Sequence, residues 1–263
     1  MAVVVLVSGA NEERLELPDA GALAPPARRT LAGVWAFRAN AEREAEQRFA
    51  RLGRELRVVG SATQAIELAE RAVGEERRHH ALCRAMVEAY GGDAPLEPLV
   101  SALPLGGTRF AHRDRVLYEV VAFCCITETL NSALMRVSHS EAREAGARAA
   151  LRTILRDEVH HSRIGWAHLA HERARGRGDF LAAEIPRMLA GAVREELFSP
   201  SPAGEHEVAL RAHGELPEPV RLAIFEAAAR DVIAPGLEAL GLDTGPMWRW
   251  VEGARRSGFR VLS

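Results

Sequence analysis

The sequence predicts an all-α protein: a bundle of four long helices with one long crossover connection and a further helical segment at the C-terminus. Three observations predict it. Ala, Leu, Arg and Glu dominate the chain while aromatic residues make up only 5%, and those four are strong helix formers. Apolar residues recur at spacings of three and four within residues 28–177, the period of one helix face. Prolines and glycines collect in a few places, the longest of them residues 93–107.

Taken in order, residues 1–27 form an N-terminal extension. Apolar runs at 3–7 and 15–17 flank Ser8-Gly9-Ala10-Asn11, the pattern of a small hairpin or a loose tail. No GxGxxG follows the valine run, so a Rossmann start is not supported. Pro25-Pro26 then punctuates the chain. The first helix covers 28–59, with Leu31, Trp35, Ala39, Glu42, Ala45, Phe49, Leu52 and Leu56 on one stripe, and Gly60 ends it. Ser61-Ala62-Thr63-Gln64 reads as a capping box for the second helix, which runs to Tyr90 and stops at Gly91-Gly92. Residues 93–107 are a crossover between two helix pairs. The third helix covers 113–137, and Ser138-His139-Ser140-Glu141 offers a cap for the fourth, 141–175, which ends at Gly176.

Residues 28–177 are therefore the bundle, and 178–263 a C-terminal helical extension packed on it. Helices are expected in that extension at 180–197 and 217–240, separated by a Ser/Pro/Gly-rich loop at 199–204 and a turn at His213-Gly214. Pro186 and Pro235 are expected to kink or break these segments. Trp248 and Trp250 should pack the tail onto the bundle.

Composition narrows the functions. A chain of 263 residues fits one large domain, or a core domain with an appendage. A net charge of −2 gives no electrostatic case for nucleic acid or a membrane surface. All 34 basic residues are arginine, which excludes a Schiff-base lysine and an intact phosphate-binding P-loop. Cys83, Cys124 and Cys125 form no CxxC and sit in apolar helical patterns, as buried free thiols in a reducing compartment do. Residues 2–7 are apolar but short and lack a basic start, so they make a poor signal peptide. No apolar run approaches the roughly 18 residues of a membrane span. A cytoplasmic protein is expected.

The chemistry lies in a repeated pattern. The second helix carries Glu76-Arg77-Arg78-His79 and the fourth Glu158-Val159-His160-His161. Both are ExxH, and a spacing of three sets carboxylate and imidazole on one helix face, where they can ligate one metal ion. ExxH alone is a common match. Here each copy lies deep in a long helix and follows another long helix with a glutamate on its apolar face: Glu42 lies 34 residues before Glu76, and Glu128 30 before Glu158. In an antiparallel helix hairpin such positions come level. One Glu from each of two helices plus ExxH from each of the others is a dinuclear ligand set. Four buried carboxylates repel one another, and two divalent cations would cancel them. Oxygen-rich ligation with imidazole suits Fe or Mn and does not separate Fe/Fe from Mn/Fe or Mn/Mn.

On these residues the chain resembles the ferritin-like di-iron carboxylate superfamily over residues 32–175. The segments Phe123-Cys124-Cys125-Ile126-Thr127-Glu128-Thr129-Leu130 and Arg156-Asp157-Glu158-Val159-His160-His161-Ser162-Arg163-Ile164-Gly165-Trp166 look especially like bacterial ferritin-like proteins of uncertain function, and residues 42–49 fit the matching first-helix segment. The resemblance implies a ferritin-like bundle with metal ligands Glu42, Glu76, His79, Glu128, Glu158 and His161. Glu46, one turn from Glu42, gives the more symmetric spacing and stands as the alternative first-helix ligand. The resemblance also implies that Asp157 and Glu75, the acids before each motif, take the outer imidazole N–H of the opposite histidine.

Two irons with O2 as co-substrate are implied, and with them a non-heme di-iron oxidase or oxygenase acting on a small organic molecule. An oxygenase would need an electron donor. Two other functions stay open: a ferroxidase, iron-handling or peroxide-removing protein, and a non-catalytic helical interaction module. A homodimer is compatible with exposed helix faces. Among the remaining residues, Cys124 reads as a core-filling thiol, Tyr118 as structural, and His80 and His160 as surface histidines. His168 reads as a buried polar partner, and the arginine pairs, including Arg77-Arg78, as solvated surface. Ile154 stands where the arylamine N-oxygenases of the superfamily are known for an additional histidine, so their three-histidine pattern is not met.

Overall fold

A computed structural model describes residues 2–8, 11–92, 104–193 and 206–256. It is mostly helical, with one small sheet among the described residues. Strands β1 (Val3–Ser8) and β2 (Asn11–Glu16) pair antiparallel, Val3 opposite Glu16 and Ser8 opposite Asn11. The extension is thus a hairpin rather than a loose tail, and residues 9–10 between its strands lie outside the described residues. It leans on the bundle: a Cβ at Gly146 would come 2.5 Å from Pro18 N.

Helix α1 (Pro25–Val58) begins with the two prolines that the sequence suggested as a break. Proline is at home there, because the first helical N–H has no partner to lose. Gly60, at φ +64, turns the chain into α2 (Thr63–Ala89). The expected capping box does not form. The α2 N-cap is Ala62, with no side-chain cap bond, and the Ser61 hydroxyl instead lies 2.7 Å from His168 Nδ1. The crossover is described only from residue 104 onward; 93–103 lie outside the described residues.

Helix α3 (His112–Glu141) runs past the expected cap at Ser138, and α4 (Ala145–Arg173) starts after a short turn. Its cap is Glu144, whose carboxylate accepts from Ala147 N at 2.6 Å. Within α3, Val121–Thr127 is π-helical, and Thr127 Oγ1 donates to Ala122 O, five residues back, at 3.1 Å. By length and composition α3 is apolar enough to cross a membrane, contrary to the expectation that no run was; 61% of its apolar 18-residue window is buried inside the protein.

The four long helices close a ring: α1 packs on α2, α2 on α4, α4 on α3 and α3 on α1. Two apolar layers fill it. One holds Trp35, Ala39, Leu82, Met86 and Ile154; the other holds Ala45, Phe49, Leu52, Phe123, Cys124 and Ile164. Along α1, α2 and α4 the buried acids and histidines of the ExxH pattern fall between these layers in the chain.

The C-terminal extension adds α5 (Leu181–Ala192), α6 (Glu207–Ala212), α7 (218–239) and α8 (Gly245–Arg256). The loop at 199–204 lies outside the described residues. Pro186 does not break α5, which continues to Ala192. In α7 a π-helical turn, Ala229–Ile233, precedes Pro235 and widens the helix where a proline ring would crowd the preceding turn. Trp248 and Trp250 pack on the apolar cluster that joins α3 to this extension.

Candidate metal centre

Each long helix sends one glutamate inward, and α2 and α4 each add a histidine. Glu42 comes from α1, Glu76 and His79 from α2, Glu128 from α3, and Glu158 and His161 from α4; all six are 1–5% exposed. Glu42, Glu76, His79 and Glu158 offer ligand atoms within 4.8 Å of one another, and Glu76, Glu128 and His161 form a second such group. Glu46 is not among them. It points away to pair with Arg77, 2.7 Å from its guanidinium.

The geometry is crossed. His79 Nδ1 lies 3.3 Å from Glu76 Oε2 and 3.5 Å from Glu158 Oε1. His161 Nδ1 lies 3.1 Å from Glu76 Oε1 and 3.3 Å from Glu158 Oε2. Each of these two glutamates therefore presents one oxygen to each histidine, while Glu42 sits on the His79 side and Glu128 on the His161 side. The outer ring nitrogens are held as well. His79 Nε2 lies 3.3 Å from Asp157, and His161 Nε2 3.1 Å from Glu75. Donation outward from Nε2–H turns the Nδ1 lone pair into the cluster. Arg71 grips Glu75 at 2.8 Å, and Arg78 and Arg156 reach Asp157 at 3.3 and 3.4 Å. Arg78 is thus part of the outer layer, not only solvated surface.

Two local features seat this arrangement. The π-helical turn ends at Glu128 and shifts its register on α3 relative to a continuous α-helix. Gly165, one turn after His161, lets α4 press on that turn: a Cβ there would meet Cys125 Sγ at 2.6 Å and Cys125 N at 2.7 Å. Cys83, Cys124 and Cys125 are buried free thiols, and burial pushes each thiol well up, as in a core-filling role. Tyr118 packs against Phe110, ring centroids 5.8 Å apart. His80 is half-buried rather than on the surface, bonded through Nδ1 to Ala39 O at 2.7 Å.

The electrostatics are those of a cluster lacking positive charge. Burial, then the Glu76 charge, holds Glu42 well above the usual carboxylate range; burial, then Glu158 and Glu76, does the same to Glu128. Burial also works to raise Glu76 and Glu158, but the imidazoles, His161 foremost, outweigh it and hold both down. For the histidines burial opposes charge, yet Asp157 and the inner glutamates raise His79, and Glu76 and Glu158 raise His161, well above an ordinary imidazole. By themselves the six side chains approach neutrality only by holding protons on both imidazoles and on Glu42 and Glu128. Two divalent cations would supply the same charge.

The donor set fits such cations. Glu158 Oε2 and His161 Nδ1 are buried with no hydrogen-bond partner, 3.3 Å apart. A buried carboxylate oxygen and ring nitrogen left without a partner at this distance are groups that a shared cation would satisfy. A cavity of about 380 Å3 opens beside the cluster, between α1 and α3, and reaches Glu42, Glu76 and Glu128. No protein-family model matches this chain, and neither does any curated protein.

Proposed function

We propose that this chain is a ferritin-like dinuclear metal protein, an oxidase or oxygenase that uses O2 to oxidise a small organic molecule. The observation that carries the reading is the crossed placement of Glu76 and Glu158, one oxygen toward each histidine. Iron is the proposed metal, and manganese in one or both positions satisfies the same donors. Two reduced irons held there would supply the electrons and open coordination positions that O2 chemistry requires.

The residues divide the remaining work. Glu76 and Glu158 would serve both metals, and Glu42 with His79 and Glu128 with His161 would each complete one side. Asp157 and Glu75 fix the ring orientations. The apolar layers exclude water, and Phe49, its ring 5.0 Å from His161, closes the His161 side. The cavity beside the cluster favours an organic substrate over iron handling, which needs no such space. As an oxygenase the protein would draw on an external electron donor.

The test is O2 uptake by iron-reconstituted protein with a chemical reductant. Sustained uptake is expected, falling at least about tenfold in Glu128→Ala, which removes one donor of the His161 side. Equal uptake by both proteins would contradict the reading. Uptake that stops once added Fe2+ is oxidised would move the protein to the ferroxidase alternative.

A further inference from the structure

The cavity has two unlike ends, and they bear on what it accepts; the inference rests on the oxidising-centre reading above. Near the cluster the wall is acidic, with Glu42, Glu76 and Glu128. At the other end Arg38 from α1 meets Glu215 and Arg221 from the C-terminal extension. Arg221 and Glu215 pair at 2.6 Å. Arg38 is half-buried and lays its guanidinium over the Trp35 ring, 4.7 Å from the centroid. Among the described residues it has no carboxylate at ion-pair distance. It is close enough to Glu215 to oppose the rise that burial imposes on that carboxyl. Among the residues that line this end, two guanidiniums stand against one carboxylate.

The walls between are largely apolar, with Val34, Phe37, Leu134 and Met135. A cation on a low-dielectric wall attracts an anion strongly, and a planar guanidinium fork matches a carboxylate. Arg38 stands one helical turn from Glu42 and lays its guanidinium over Trp35, toward the part of α1 farther from Glu42.

We propose that this cavity binds a small organic monocarboxylate, its headgroup on Arg38 and its apolar body directed at the Glu42–Glu128 edge of the cluster. The extension would then be part of the binding site, since Arg221 and Glu215 frame the headgroup. A volume of about 380 Å3 lies toward the small end of ligand pockets, which suits a compact acid.

Calorimetric titration of the full-chain protein tests this, with octanoate and phenylacetate as probes and octanamide as the neutral counterpart of the first. Metal content is measured on the same samples. At least one acid should bind, and octanamide should bind at least about tenfold more weakly than octanoate if that is the acid bound. Arg38→Met should weaken the acid about tenfold or more, the scale of a lost charge-assisted hydrogen bond, and leave metal content unchanged. Arg38→Lys should restore part of the affinity. Gly33→Leu is an independent check on the same wall, because a Cβ at Gly33 meets nothing within 4 Å and the added bulk enters the cavity mouth; it should block the acid. Binding of neither acid, or acid binding unchanged in Arg38→Met and Gly33→Leu, overturns the inference. A protein that binds the acid through Arg38 but takes up no metal keeps this inference and loses the oxidising-centre reading.

Discussion

Buried carboxylates in this protein fall into two groups that differ in what faces them. Glu119 and Glu172 are 4% and 0% exposed, and arginine neutralises both. Glu119 lies 2.6 Å from Arg48 and also pairs with Arg51; Glu172 lies 2.8 Å from Arg113 and 3.2 Å from Arg177. Glu42, Glu76, Glu128 and Glu158 are buried as deeply, yet among the described residues no guanidinium reaches any of them at ion-pair distance. In a chain with 34 arginines that is a clear division. Arginine stops one layer out, on Glu75 and Asp157. Where burial serves packing, the chain supplies its own cation. Where four carboxylates meet, it brings no arginine, and in the proposed reading a divalent metal would be the cation, one that would also satisfy the imidazoles.

The comparison can be broken in both directions. The largest effect is expected from Glu158→Ala, which removes one oxygen from each proposed metal position: bound metal should fall to near background by elemental analysis, while the helical circular-dichroism signal stays. The opposite experiment is Glu119→Ala. It leaves Arg48, 4% exposed, with only part of its compensation, and should cost about 3 kcal/mol in denaturant unfolding without lowering metal content.

A smaller separation lies in acid stability. His168 is wholly buried, and burial holds it down to about 4 against an ordinary 6.5. Its folded pKa lies below its unfolded value, so the unfolded chain binds more protons between pH 6.5 and 4. The stability from this group is complete above about 6.5 and is lost as pH falls toward 4, about 3 kcal/mol in all. His168→Gln should flatten that part of the pH–stability curve. The smallest effect belongs to the outer layer. Asp157→Asn should weaken metal binding by about 10–100-fold through loss of the His79 orientation, read by competition with a chelator.

Much of this arrangement is legible in the residues, for stated reasons. The two ExxH motifs can be read because a spacing of three on a helix has one geometric meaning. The pairing of Glu75 and Asp157 with the opposite histidines is implied by the resemblance and not by spacing, and both contacts are present. Glu42 against Glu46 is not legible from periodicity, since both lie on one face; Arg77 across the α1–α2 hairpin draws Glu46 outward. The capping box at Ser61 misleads because its hydroxyl is taken by His168, 107 residues away. The π-helical turn before Glu128 leaves no mark in composition, since residues 121–127 are as apolar as any core helix. Helix α8 goes unread because Gly245-Pro246 looks like loop, although proline suits a first turn. The cavity is the least legible feature of all, because Arg38 and Arg221 come together only through the packing of the C-terminal extension.

The most direct test of the central claim is metal content per chain after anaerobic reconstitution with Fe2+ and Mn2+ together, followed by desalting and elemental analysis. About two metal ions per chain, lost in Glu158→Ala and kept in Glu119→Ala, is the result the arginine-free cluster predicts. Less than about a few tenths of an ion per chain in the unaltered protein would contradict it, and would leave protons rather than metals as the neutralising charge.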